Sequence, residues 1–178
     1  MANKAVDIHE RFIHYGLVPH DITGAAHVGN YFSMKNYRHA KIILFSGAWA
    51  GGTSAITINR AKSVTGGSTE AWIKWDTVYV KANNSAYNGE DTAETQVFTK
   101  TAVTSYTKAM GAANEIWVIE FDAIELDYDN ADFDCFALLS ASPSTNTDIL
   151  GCIVELSEPR FAGSKSSTTM PAANAREN

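Results

Sequence analysis

Residues 114–121 read Asn-Glu-Ile-Trp-Val-Ile-Glu-Phe, and this octet sets the fold class. Alternate positions divide it in two. Ile116, Val118 and Glu120 share one face of an extended chain, and Trp117, Ile119 and Phe121 share the other. That is the period of two that side chains follow along a strand. Five of the eight residues are apolar or aromatic, spread over both faces, so the segment reads as a central strand.

Working outward, the same chemistry recurs on both sides. Toward the C-terminus, Phe133 to Ala141 and Asp148 to Leu156 are further strands, joined by a turn at Ser142-Pro143-Ser144-Thr145-Asn146. Toward the N-terminus, Arg38 to Phe45 ends at Ser46-Gly47, and Ser54 to Ala61 alternates Ile56 and Ile58 with Thr57 and Asn59. The intervening Gly47-Ala48-Trp49-Ala50-Gly51-Gly52 holds enough glycine for a hairpin. Trp72 to Val80 continues the scheme, with Ile73, Trp75 and Tyr79 expected inward because their face is the more apolar. Asn83 to Glu94 is a polar connection, and Thr95 to Tyr106 contributes one or two strands. About eight strands with turn formers between them suit an all-β antiparallel sandwich or jelly roll. A short helix is expected at Asp122 to Leu126 or in the Ala-rich Lys108 to Ala113 connection.

The ends look different. Residues 1–30 hold little strand pattern and several turn formers, among them Gly16, Pro19, Gly24 and Gly29, and read as an N-terminal arm. Residues 31–161 are the sandwich domain. Residues 162–178 are a flexible or extended tail, since GSKSSTTMPAANAREN can bury almost nothing.

At 178 residues the chain suits one ordinary domain. The net charge of -6 argues against binding nucleic acid or an anionic membrane. No apolar run is long enough to span a bilayer, and the start MANKAVDIHERFIHYG lacks the apolar core of a signal peptide. The acidity is local. Seven of the 20 acidic residues fall between Glu120 and Asp134 with no Lys or Arg among them, which leaves 13 acids against 14 bases elsewhere.

Candidate chemistry is sparse. His9, Glu10 and His14 fail the zinc-protease spacing, because histidines at i and i+5 diverge on a helix. His20, His27 and His39 sit in separate segments without ligand spacing. Gly47 to Gly52 and Gly66-Gly67 lack the Lys-Ser/Thr of a phosphate loop, and no GxSxG elbow is present. Cys135 and Cys152 lie in apolar strands and read as buried free thiols, with a disulfide as the lesser alternative. No cofactor is expected.

The acid stretch is the best candidate for a site. Asp127, Asp129 and Asp132, with Asn130, are candidate oxygen ligands for Ca²⁺. The stretch lacks the glycine and distal Glu of an EF-hand, and acidic turns are common because Asp and Asn suit turn geometry. A solvated or partner-facing loop is the competing reading, and paired carboxylates for glycoside hydrolysis find little support. Among Trp49, Trp72, Trp75 and Trp117, Trp49 lies in a glycine-rich turn and is the one expected to be exposed. Trp49, Asp127 and Asp129 are therefore candidate partner contacts.

Three blocks taken together resemble a known family. They are Gly47-Ala-Trp-Ala-Gly-Gly-Thr-Ser-Ala-Ile-Thr-Ile-Asn-Arg-Ala-Lys-Ser, Asn114-Glu-Ile-Trp-Val-Ile-Glu-Phe-Asp-Ala-Ile-Glu-Leu-Asp and Phe133-Asp-Cys-Phe-Ala-Leu-Leu-Ser-Ala-Ser-Pro. With Leu156-Ser-Glu-Pro-Arg-Phe after them, their order is similar to that of small virion proteins encoded among the head genes of tailed bacteriophages. The resemblance spans roughly residues 31–161 and contains no catalytic motif.

It implies a non-enzymatic decoration or cement protein with a β-sandwich body, located on the outer capsid surface of the virion and made in the host cytoplasm. Its partners would be the major capsid protein and further copies of itself, with no nucleic acid and no membrane. No site residue follows from the resemblance. A carbohydrate- or host-surface-binding head-fibre or tail module, using Trp49 and its neighbouring loops, is the alternative.

Overall fold

The computed structural model describes residues 11–81, 99–103, 107–111, 113–142 and 147–159. The expected polar connection 83–94, the turn at 143–146 and the C-terminal tail 162–178 lie outside the described residues.

The strand formed from residues 116–122 sits inside a six-stranded antiparallel sheet. In chain order the strands are β1 (Phe12–Asp21), β2 (His27–Val28), β3 (Phe32–Ser33), β4 (Tyr37–Trp49), β5 (Ser54–Ala61), β6 (Glu70–Ala71), β7 (Thr77–Lys81), β8 (Thr99–Ala102), β9 (Thr107–Met110), β10 (Ile116–Asp122), β11 (Cys135–Ser140) and β12 (Asp148–Pro159), with one helix, α1 (Ala123–Leu126), after β10. The first sheet runs β1-β12-β4-β10-β7-β8. The second runs β2-β11-β5-β6, with β3 also on β11 and β9 also on β5. The molecule is an all-β sandwich of these two sheets.

Its core follows from the parity already visible in the octet. Trp117, Ile119 and Phe121 point inward, joined by Ile42 and Leu44 of β4 and by Val154 and Leu156 of β12. The second sheet answers with Ile56, Ile58, Phe136 and Leu138. Each such side chain, fully buried, stabilises the fold by about 1.5–3 kcal/mol. The expected helix at 122–126 is present. It starts where the Asp122 backbone N–H donates to Glu125 Oε2 at 2.8 Å, half of a capping box. The alternative helical segment near Lys108 is instead strand β9, paired with β5.

Three expectations change. The Gly47–Gly52 stretch does not close a hairpin, because β4 belongs to the first sheet and β5 to the second. It carries the chain across the sandwich, with Gly52 at φ 77° in the left-handed region that glycine enters freely. In the Trp72–Val80 segment, Trp72, Trp75 and Val78 are buried while Ile73 and Tyr79 are exposed. A tight turn, with Trp75 N–H donating to Trp72 C=O at 3.4 Å, breaks the alternation as the chain changes sheets. Finally, residues 12–28 are not an arm: β1 pairs with β12 over most of its length and β2 pairs with β11. The turn formers that masked β1 are absorbed as irregularities in its register after Tyr15 and after Leu17.

Candidate functional site

Three features of the surface and its supports stand out. The first is the acid loop after α1. Arg60, the last inward residue of β5 but one, reaches it from inside the sandwich with only 1% of its surface exposed. Its Nη1 donates to Asp129 Oδ1 at 2.8 Å and to the Leu126 carbonyl at 3.0 Å, and its Nη2 donates to Asp129 Oδ2 at 2.6 Å. Nε donates to Glu70 Oε1 at 2.7 Å. The guanidinium stacks over Phe133 at 4.1 Å and Tyr128 at 4.5 Å. The hydrogen bonds Arg60 donates to Asp129 raise the Arg60 pKa above its ordinary value, and the same bonds hold the Asp129 carboxyl below its own.

Both oxygens of Asp129 are thus committed to a cation of the protein itself. Asp127 Oδ1 accepts the Phe133 N–H at 3.1 Å, and Asn130 and Asp132 adopt left-handed φ of 54° and 63°. Among the described residues no group of three or more His, Cys, Asp or Glu side chains is placed to hold a metal ion, the three candidate aspartates included.

The second feature is one pole of the sandwich. Asp148, at the start of β12, is fully buried, and its Oδ1 accepts the Ala50 N–H at 2.6 Å, pinning the sheet-to-sheet crossover. Trp49 ends β4 instead of sitting in a loop. It is half-buried against the core, with its indole N–H donated to Gly52 C=O at 3.1 Å. It is still the least buried of the four tryptophans. At the same pole His20 Nε2 lies 2.9 Å from His27 Nδ1, although seven residues separate them. His20 Nδ1 sits 2.6 Å from Val18 C=O, an acceptor, so this nitrogen carries a proton and donates there. His27 Nε2, on the far side of that ring, is buried without a hydrogen-bond partner among the described residues.

The third feature is apolar surface. Seven large hydrophobic side chains are exposed among the described residues, and four of them, Ile13, Tyr15, Val18 and Val28, lie on β1 and β2. These strands form one rim of the sandwich. The rim is closed to strand addition along its middle. Asn30 N–H donates to Gly16 C=O at 2.8 Å, the Asn30 side chain donates to Tyr15 C=O at 3.1 Å, and Pro19 has no N–H to give. A partner meets side chains at this rim, not a free ladder of backbone groups.

No protein-family model matches the chain, and no curated protein matches it significantly. Among solved structures it is similar to the SPBc2 prophage-derived protein YomS, with a TM-score of 0.42 and 12% identity over 83% of this chain and 93% of that one. A likeness of that size assigns neither family nor function. No residue role passes from it to this chain.

Sequence reasoning singled out Asp127, Asp129 and Trp49 but missed Arg60, Asp148 and the His20–His27 pair. One signal for Arg60 was available: it occupies an inward parity position of β5, in register with Ile56 and Ile58. A basic residue on the buried face of a strand requires an acid partner. For the histidines no local signal exists, because their contact joins the edges of two sheets.

Proposed function

We propose that this chain is a non-enzymatic structural protein of a tailed-phage virion that binds the outside of the assembled capsid and stabilises it. The observation that carries this reading is the rim formed by β1 and β2, where Val18 is 60% and Val28 53% exposed. Exposed apolar side chains gathered on one edge of a small sandwich mark a contact surface.

The residue blocks that resemble phage head proteins support it from another side. They fall on β5, β10 with α1, and β11, which are central strands of the two sheets. The resemblance therefore lies in the frame of the fold, as suits a protein whose work is to be a surface. Repetition over a symmetric shell would supply avidity, so each single contact need not be strong.

The test is the composition of purified particles from the phage that encodes the chain. Copies on the order of hundreds per particle support shell decoration. A handful would favour a head-fibre or tail module, and absence from particles would overturn the proposal. With both Val18 and Val28 changed to Glu, the chain should stay folded and lose particle binding.

A further inference from the structure

The outward face of the first sheet carries a pattern that a solvated face does not. In an antiparallel sandwich the strands alternate apolar residues inward with polar residues outward. Here the register places Tyr15 of β1 opposite Ile153 of β12, Ile153 opposite Ile43 of β4, Ile43 opposite Val118 of β10, and Val118 opposite Tyr79 of β7. An unbroken apolar row crosses five strands on the solvent side. The row beside it aligns Gly151, Phe45 and Ile116. An added Cβ at Gly151 would meet Pro19 at 2.8 Å and the Phe45 ring at 2.9 Å, so those two side chains close over the glycine and extend the apolar band.

The row on the other side of the band is charged and already neutral. It aligns Glu155, Lys41 and Glu120. Lys41 Nζ lies 2.9 Å from Glu120 Oε1, and Arg11 pairs with Glu155. A partner with a strong charge of either sign finds no field there to complement. A second copy of the same face does fit, because it brings an apolar band of equal width and charges that are likewise paired within themselves.

The dimensions agree. Five strands at ~4.8 Å and about seven residues at ~3.4 Å span roughly 24 Å each way, so two such faces would bury on the order of 1,000 Å² in total. That is the lower end for a specific pair, and it implies a weak, concentration-dependent dimer.

We infer that this face is a self-association surface, on which two copies pack sheet to sheet about a two-fold axis through the Ile43–Val118 row. The inference stands on the outward rows and does not depend on the capsid reading.

Sedimentation equilibrium of the full chain over a micromolar-to-millimolar series tests it. The expected result is a monomer–dimer equilibrium that Ile43→Glu weakens at least roughly ten-fold, as loss of a central interface anchor does. Tyr79→Lys, a milder change at the end of the row, should weaken it less while leaving the unfolding midpoint unchanged, which separates interface loss from misfolding. Ile124→Glu, at a side chain 79% exposed on α1, should leave the equilibrium alone. A chain that is monomeric throughout the series overturns the inference, as does a dimer indifferent to both face substitutions. Particle binding by the Ile43→Glu chain reports separately on the capsid reading, since that substitution leaves Val18 and Val28 untouched.

Discussion

The Arg60 guanidinium meets the Asp129 carboxylate with two parallel hydrogen bonds of 2.8 and 2.6 Å, and it does so from inside the sandwich. The acid loop that dominates the charge of the sequence is thereby tied to the end of β5. Arg60→Leu should destabilise the fold by about 2–4 kcal/mol, less than for a wholly buried pair because Asp129 and Glu70 regain water once the cation is gone. Arg60→Lys should recover only part of this, since an ammonium cannot make the two-pronged contact. Urea unfolding of the three chains measures it. Equal midpoints would refute the clamp.

Acid should act through the same contact. Arg60 holds the Asp129 carboxyl below its ordinary value of 3.8, and the Thr23 hydroxyl does the same for Asp21. A carboxylate whose folded-state pKa is depressed contributes stability that is full above the unfolded-state value and is lost as pH falls through the folded one. The unfolding midpoint should therefore be flat near neutrality and drop once pH passes below about 4. Asp129→Asn should lower the neutral midpoint and make the acid drop shallower. An unchanged slope would remove Asp129 from the acid response.

Both thiols should be silent in the native protein. Cys135 and Cys152 are free and buried, and burial pushes each pKa up to about 12. The thiolate is the reactive form, so neither should react with a disulfide reagent at mildly alkaline pH. Both should react in full once the chain is unfolded in guanidinium. Rapid labelling of the native chain would show that the strands open locally.

Two glycines should respond differently to a methyl group. At Gly29 an added Cβ would stand 2.5 Å from the Gly16 carbonyl oxygen, a backbone atom that cannot swing aside. Gly29→Ala should cost about 2–3 kcal/mol and loosen the contact between the rim strands. At Gly24 the added Cβ meets nothing within 4 Å, and only the left-handed φ of 79° opposes it. Gly24→Ala should cost about 1 kcal/mol. Thermal unfolding of the two variants checks the order.

The strands were legible wherever alternation alone was enough. The inward face of 117–121, the inward Ile56 and Ile58, the helix beginning at Asp122 and the buried thiols all follow from side-chain period and residue type. The candidate site was less legible. Asp129 drew notice as one of several acids, but its partner Arg60 lies 69 residues away in sequence. Of the apolar outward row, each strand shows one or two members; only pairing five strands in register makes them a surface.

The sequence by itself determined that this is an all-β chain with a nearly neutral body and a local excess of acid. Those properties are sums over residues or rhythms within a strand, so no distant contact is needed to read them. Tertiary structure alone decided that Gly47–Gly52 crosses between sheets, that residues 12–21 complete one, and that the acid loop is clamped by a buried arginine. The reason is physical. Alternation says which way a side chain points relative to its own strand, while the choice of neighbouring strand is settled by which non-local pairing buries both faces at once. The acidity that looked like a feature of one loop is, in the folded chain, half of a contact with its core.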